Sequence, residues 1–321
     1  MKALELTGLQ GSHPLGFLAA CGVLRCCSVE GRREATLAWK QANDGSGWIA
    51  DLWGIDDLIL DGLIEMLIRR AAKQTDCEAL GWSDKIDDRA KFRQLGSSVI
   101  ERATGPDVDE SISWLPALSS DIVGNTEKLQ PTSLDLTSGA QGFLKSIRNL
   151  ARELSKTEKR KGRAPVGVGV GAGAFREALC GPWRYGDEAH SLGWDPQTQR
   201  LHALRNKLPE QDKQNRSVRG AVFLASQALP LFPCFAANGN LRTTGFHRLD
   251  GEDWFAWPIW CEPIALSTLQ SLLAQPLSHN LKRRGVKVAY RCLRAHTGGS
   301  DGNYRVFGNA EEHPLDRQAK E

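Results

Sequence analysis

The hydrophobic pattern at the start of the chain predicts a strand, a helix and a hairpin. Residues 2–9 alternate loosely between apolar and polar positions, which is typical of a strand. A largely apolar helix is predicted to begin near Pro14, with Ser12 as its N-cap. Two further strands, Ala35–Lys40 and Trp48–Trp53, are predicted on either side of a turn at residues 43–45.

Three- and four-residue spacing of apolar positions predicts the next helices. Residues 56–73 form the clearest amphipathic pattern, with acidic residues at its start and basic residues at its end, as the helix dipole prefers. A second, more polar helix is predicted over residues 85–102. Residues 105–124, which contain Trp114 and Pro116, are predicted to be rich in loops. Residues 140–163 predict a basic helix with an apolar stripe on one side.

The stretch from Gly181 to Pro233 is predicted to be a polar, aromatic-edged loop held against a buried helix. The short apolar run Ser191–Trp194 is closed by Asp195-Pro196, which favours a turn. Residues Val218–Leu229 are apolar enough for a buried helix, and the prolines that follow would end it. Such a loop could present side chains to a partner.

The C-terminal part adds a tryptophan-rich strand at Trp254–Trp260 and a short helix at Leu266–Leu273. The tryptophans could stack nucleic-acid bases, but such a run more often belongs to a core. Residues 286–291 alternate apolar and mostly charged positions, which favours an edge strand with one charged face. The predicted fold class is α+β, with an N-terminal strand-helix-hairpin unit and helices followed by a basic α+β C-terminal part.

Composition indicates a soluble, cytoplasmic globular protein. The chain has 321 residues, of which 25% are charged and 41% hydrophobic, and no apolar run is long enough to span a membrane. The N-terminus lacks a clear signal-peptide pattern, because Glu5 comes early and His13-Pro14 interrupts the apolar run. None of the eight cysteines forms a C-x-x-C pair, so they read as buried free thiols. No metal or other cofactor is predicted.

The charge distribution divides the chain into an acidic and a basic part. Residues 1–135 contain 14 Lys and Arg against 21 Asp and Glu, whereas residues 136–321 contain 27 against 17. We therefore predict an acidic α+β N-terminal part, 1–135, and a basic, tryptophan-rich C-terminal part, 136–321, which together could still form one continuous domain.

Clustered cations in the basic part point to phosphate groups. A surface helix or strand needs no such excess of one charge, whereas a nucleic-acid backbone would benefit from it. An ordinary solvated surface is the alternative. The run of alternating glycines at 167–173 is a poor match to a phosphate-binding loop, because no Lys-Ser/Thr follows it. The candidate nucleic-acid-binding residues are Lys145, Arg148, Arg152, Lys156, Arg200, His202, Arg205, Arg283, Arg284, Lys287, Arg291 and Arg294.

Several short motifs resemble those of type I-G (formerly I-U) CRISPR-associated proteins. In chain order they are HPLGFLAACGVLR, SLDLTSGAQGF, SLGWDPQTQRLHAL, GAVFLASQALPLFP, RRGVKVAYRCLR and NYRVF, and the resemblance covers about residues 6–308. The resemblance implies an accessory or large-subunit-like component of the guide-RNA (crRNA) effector complex, which is a Cascade-type antiviral surveillance complex. It implies other effector subunits and guide RNA and/or target DNA as partners. It does not imply that this chain carries a nuclease site.

Two other classes of function stay open. A metal-dependent nuclease would use Asp187, Glu188, His190 and His202 as ligands or bases, but their spacing matches no metal motif. A scaffold that contacts only protein is the other alternative. We predict a non-catalytic nucleic-acid-binding subunit, with no catalytic residues.

Overall fold

The computed structural model is a mixed α+β protein, so the predicted fold class is confirmed. It describes residues 3–43, 45, 47–55, 59–81, 87–102, 108–122, 128–137, 142–156, 170–188, 191–198, 216–277, 279–297 and 304–315. The helices are α1 (Pro14–Val29), α2 (Leu60–Gln74), α3 (Glu78–Gly81), α4 (Arg89–Arg102), α5 (Val108–Leu118), α6 (Phe143–Leu154), α7 (Val170–Cys180), α8 (Arg219–Gln227) and α9 (Leu266–Leu273). The strands are β1 (Leu4–Gln10), β2 (Thr36–Gln41), β3 (Trp48–Trp53), β4 (Asp187–Glu188), β5 (Arg216–Ser217), β6 (Cys234–Ala237), β7 (Asn240–Thr243), β8 (Phe246–Leu249), β9 (Glu252–Trp260), β10 (Ile264–Ala265), β11 (Val286–Thr297), β12 (Tyr304–Phe307) and β13 (Glu311–His313).

The first sheet has the order β1-β3-β2-β10 and is antiparallel. Its first three strands and α1 form the predicted strand-helix-hairpin unit. The fourth strand, β10, comes from the C-terminal part of the chain, and its Ile264 pairs with Leu37 of β2. The C-terminal part therefore completes the sheet that the N-terminal part begins.

Helix α1 crosses the centre of the molecule and is buried from Pro14 to Cys27. Its N-cap is His13, whose Nδ1 accepts a hydrogen bond of 3.4 Å from the Gly16 N–H, so the predicted Ser12 cap is wrong. Proline at the first helical position fits a helix start, because its missing N–H is not needed there. The apolar, small-residue character of α1 suits a helix that is surrounded by protein on all sides.

The second sheet has the order β12-β11-β9-β8, with β13 also paired to β11. Strand β11 therefore lies inside the sheet, and its predicted position at a sheet edge is wrong. The prediction failed because two charged positions of β11, Arg291 and Arg294, receive partners from neighbouring strands. For example, Arg291 pairs with Glu311 of β13.

Segment 105–124, predicted to be loop-rich, contains helix α5. Pro116 lies near the end of this helix, where the loss of one backbone N–H breaks few hydrogen bonds. Trp114 is fully buried and anchors α5 in the core. The proline and the flanking glycines thus favoured the prediction of a loop, although packing against the core stabilises a helix here.

One hydrophobic core takes residues from both predicted parts of the chain. The indole N–H of Trp257 donates to the Gly11 carbonyl at 2.7 Å, and that of Trp260 donates to the Leu37 carbonyl at 2.8 Å. Both rings are buried, so the interpretation of these two tryptophans as core residues is confirmed. The boundary at residue 135 stays a prediction. Among the described residues, no helix is long and apolar enough to cross a membrane.

Candidate nucleic-acid interface

Helix α6 carries the first basic cluster and is held by its apolar face. The predicted helix over 140–163 is described as α6, which begins at Phe143 and ends at Leu154; residues 157–163 lie outside the described part of the chain. A Cβ added to Gly171 of α7 would overlap the Leu154 carbonyl oxygen, so glycine there permits close packing at the end of α6. The buried face consists of Phe143, Leu144, Ile147, Leu150, Ala151 and Leu154.

The opposite side of α6 is an exposed stripe rich in positive charge. Its first three members recur at steps of four and three residues, which places them along one side of the helix, and the fourth follows two residues after the helix ends. Three are cations and none is acidic, whereas Glu153 lies beside the stripe and pairs with Arg219 at 3.4 Å. We call this set the α6 stripe, and it consists of Lys145, Asn149, Arg152 and Lys156.

Arg148 belongs to the same cluster in the sequence but lies off this stripe. Its side chain is half-buried, and its guanidinium Nη1 donates to the Leu80 carbonyl oxygen. A half-buried guanidinium that satisfies a backbone carbonyl has a structural role in joining α6 to α3. Arg148 is therefore a poorer phosphate ligand than its sequence neighbours.

The second basic cluster is exposed only in its first half. Arg283 and Arg284 end a 3-10 helix at His279–Arg284, and Lys287 follows at the start of β11; all three are exposed. Among the described residues, the Arg284 side chain donates only to the neutral amide oxygen of Gln275, at 3.3 Å. These cations can therefore reach an anionic partner.

Arg291 and Arg294, in the second half, have partners within the protein. The Arg291 guanidinium lies 4.5 Å from the centroid of the Trp254 ring and 2.6 Å from Glu311 Oε1. Arg294 is only 8% exposed, donates to the Asp135 carbonyl at 3.2 Å and lies 3.6 Å from Asp253 Oδ2. Burial, and next the nearby Arg305, lowers the pKa of Arg294 to about 10, so it remains charged at neutral pH. Neither side chain is placed to contact an extended phosphate backbone.

The described part of the central stretch is packed against the core. Trp194 is fully buried, and its indole N–H donates to the Leu134 carbonyl at 2.9 Å. Asp195 is also fully buried and accepts from the Gln197 N–H at 2.9 Å, as expected for a turn. The predicted binding residues Arg200, His202 and Arg205 lie outside the described residues.

The residues considered for a nuclease are described only in part. Both carboxylate oxygens of Asp187 contact Arg219, one at 2.8 Å from its Nε and the other accepting from its backbone N–H at 3.0 Å. His190 and His202 lie outside the described residues. Within the described ranges, no group of three or more His, Cys, Asp or Glu side chains could hold a metal ion.

No protein-family model matches the chain, and no curated protein sequence matches it. The resemblance to type I-G CRISPR-associated proteins accordingly rests on the motifs alone.

Two arrangements of polar residues were missed in the sequence. His13 Nε2 lies 3.4 Å from the buried Asp195 Oδ1, which links the start of α1 to the central stretch. Burial, followed by the charge of this aspartate, raises the pKa of Tyr185 nearby. Arg242 and Arg305 approach Arg294 around one cavity. Local sequence patterns indicate neither arrangement, although His13, Asp195 and Arg305 occur within the motifs of the resemblance.

Proposed function

We propose that this protein binds nucleic acid through the sugar-phosphate backbone. The α6 stripe supports this proposal most directly, because it aligns three exposed cations and includes no acidic residue. Lysine and arginine on such a surface attract phosphates without reading base sequence. Exposed cations at Arg283, Arg284 and Lys287 offer a second set of phosphate contacts.

Positive charge at the C-terminal end of α6 strengthens the proposal. Arg152 lies in the last turn of α6, and Lys156 follows two residues after the helix ends, so two positive charges lie close together at this end of α6. Neither side chain forms an ion pair with a described residue. The sequence continues with Lys159, Arg160 and Lys161, which lie outside the described residues and would add to the positive charge. A bound phosphate backbone would neutralise this positive charge.

The motif resemblance extends the proposal to a biological setting. A type I-G-like protein would be a non-catalytic subunit of a guide-RNA surveillance complex, contacting guide RNA or target DNA together with partner subunits. Sequence specificity would then come from base pairing with the guide, and this chain would contribute affinity for the backbone. Purification with the neighbouring CRISPR-associated proteins, followed by sequencing of any bound RNA, tests this setting.

Backbone binding is tested with the double variant Arg152→Gln/Lys156→Gln. Glutamine removes both charges and has a helix propensity close to those of arginine and lysine. The matched control is Arg33→Gln/Arg69→Gln, which removes two exposed charges from the acidic part of the chain. Fluorescence anisotropy with labelled duplex DNA and single-stranded RNA, over a range of salt concentrations, measures affinity and its salt dependence.

We expect the stripe variant to bind unrelated sequences more weakly and to similar extents. If both side chains contact phosphates, the slope of log affinity against log salt falls by about 1.8 for duplex DNA and about 1.4 for single strands. The control should retain the affinity and slope of the unmodified protein. Equal slopes for the folded stripe variant and the control would refute a role for α6, and no salt-dependent binding by the unmodified protein would refute the function.

A further inference from the structure

A polar cavity of about 550 Å³ opens between the second sheet and the segment that precedes α6. Its walls come from residues 130–137, the strands β7 and β8, and one residue each of β9, β11 and β12. A volume of this size lies within the usual range for small-molecule sites, about 300–1,000 Å³. The cavity is formed by residues other than those of the α6 stripe.

Three arginines from three different strands converge on this cavity: Arg242 of β7, Arg294 of β11 and Arg305 of β12. The Nε of Arg294 is buried and has no hydrogen-bond partner among the described residues. The side chains of Arg242 and Arg305 form no hydrogen bond or ion pair with a described residue. The site therefore offers several unused N–H donors of the kind that bind phosphate and carboxylate oxygens.

Two aspartates in the cavity balance these charges only in part. Asp135 Oδ1 already accepts from the backbone N–H of Thr137 at 3.0 Å and from its hydroxyl at 2.7 Å. Asp253 lies 3.6 Å from Arg294. Three guanidinium groups against two carboxylates leave a net positive charge. A ligand that carries a negative charge would complete the site.

The remaining lining residues suit a ligand larger than inorganic phosphate. Phe246 supplies a half-buried aromatic wall, and His247 lies beside it. Ser133 and Gln130 supply polar groups, while the aspartate oxygens can accept hydrogen bonds from sugar hydroxyls. An aromatic surface, hydroxyl acceptors and an arginine cluster together match a base, a ribose and a phosphate.

We propose that this cavity binds a phosphate monoester carried by a nucleoside. The ligand could be a free nucleoside monophosphate or the phosphorylated end of an oligonucleotide, since both present the same chemistry. Arg242 and Arg305 would hold the phosphate, and Phe246 would contact the base. This proposal does not depend on backbone binding by the α6 stripe, because the two sites share no residue.

Isothermal titration calorimetry of the full chain with AMP, adenosine and inorganic phosphate tests the ligand class. We expect AMP to bind at least about tenfold more tightly than adenosine, since charge-assisted hydrogen bonds are lost without the phosphate. Inorganic phosphate should also bind more weakly than AMP, because it leaves the aromatic wall unused.

The variants Arg242→Gln and Arg305→Gln locate the site. Each should weaken AMP binding by about tenfold, the effect of losing one charge-assisted hydrogen bond. Arg184→Gln is the matched control, because Arg184 is exposed and does not line the cavity. Arg294→Gln is avoided, because this buried side chain also holds the Asp135 carbonyl. Thermal unfolding confirms that each variant is folded.

Short oligonucleotides with a 5′-phosphate or a 5′-hydroxyl distinguish the two sources of the phosphate. Tighter binding of AMP supports a free nucleotide, whereas binding of only the phosphorylated oligonucleotide supports a strand end. A phosphate preference that persists in Arg152→Gln/Lys156→Gln shows that the cavity acts apart from the α6 stripe. No preference for phosphate with either ligand, or a preference unchanged by Arg242→Gln and Arg305→Gln, would overturn the proposal and leave backbone binding untouched.

Discussion

Glu110 of α5 places its carboxylate between two buried arginines, Arg25 of α1 and Arg70 of α2. Arg70 Nη1 donates to Glu110 Oε2 at 2.8 Å, and Arg25 Nη2 lies 3.9 Å from Oε1. The arginine side chains are each 4% exposed and that of Glu110 is 16% exposed. Burial, and next repulsion from Arg70, lowers the pKa of Arg25 to about 10. The Glu110 carboxylate is thus shared by both arginines, whereas that of Glu30 lies 3.9 Å from Arg70.

Replacing Glu110 with glutamine preserves the shape of the side chain and removes its charge. Two unit charges 4 Å apart interact by about 4 kcal/mol at an effective dielectric constant of about 20. Removing one member of a buried ion pair costs about 3–5 kcal/mol in measured cases, because the remaining charge stays desolvated. We therefore expect Glu110→Gln to lower the free energy of unfolding by about 3–5 kcal/mol. This is a large part of the 5–15 kcal/mol that is typical of folded proteins.

Urea unfolding followed by circular dichroism measures this loss. The control is Glu78→Gln, which removes the charge of an exposed ion pair with Arg102 and keeps an oxygen acceptor for Ser98. Surface pairs of this kind contribute about 0–1 kcal/mol. If the two variants differ by less than about 1 kcal/mol, the buried carboxylate does not stabilise the arginines as argued.

Two further predictions concern close packing and pH. Gly22→Ala in α1 should lower the thermal unfolding temperature markedly, because a Cβ there would overlap the Leu224 carbonyl of α8; Gly173→Ala, with open space around it, should cause no loss. Burial, and next His313, lowers the pKa of His247 from 6.5 to about 4, so protonation favours the unfolded state. The stability contributed by neutral His247 is present above about pH 6.5 and is lost as the pH falls toward 4. The urea midpoint of His247→Gln should therefore decrease less between pH 7 and pH 5, and an unchanged decrease would contradict this assignment.

Elements with strong local patterns were predicted closely from the sequence. The predicted bounds of β3, Trp48–Trp53, and of α9, Leu266–Leu273, coincide with those of the structure. Helix α1 begins at Pro14 as predicted, because a proline at the first helical position is a local feature. In each case the determining information lies within a few residues of the element.

Other features depend on residues far away in the chain and were not predicted. Helix α5 contains Pro116 and was read as a loop, although burial of Trp114 stabilises it in the core. Strand β11 was placed at a sheet edge, because its charged residues suggested a face toward water. Its partner Glu311 lies twenty residues beyond Arg291, and the sequence gives no sign of their pairing.

The arginines explain why the candidate interface was predicted only in part. Arg148 and Arg152 are four residues apart in one basic segment, yet the first donates to the Leu80 carbonyl and the second lies on the exposed α6 stripe. Arg294 looked like part of a basic strand, but it is buried against Asp135, which lies 159 residues earlier. A cation can bind phosphate only if the fold leaves its charged end exposed. Because internal partners are brought together by tertiary contacts, composition can identify a basic region, whereas only the structure separates its structural arginines from those available to a ligand.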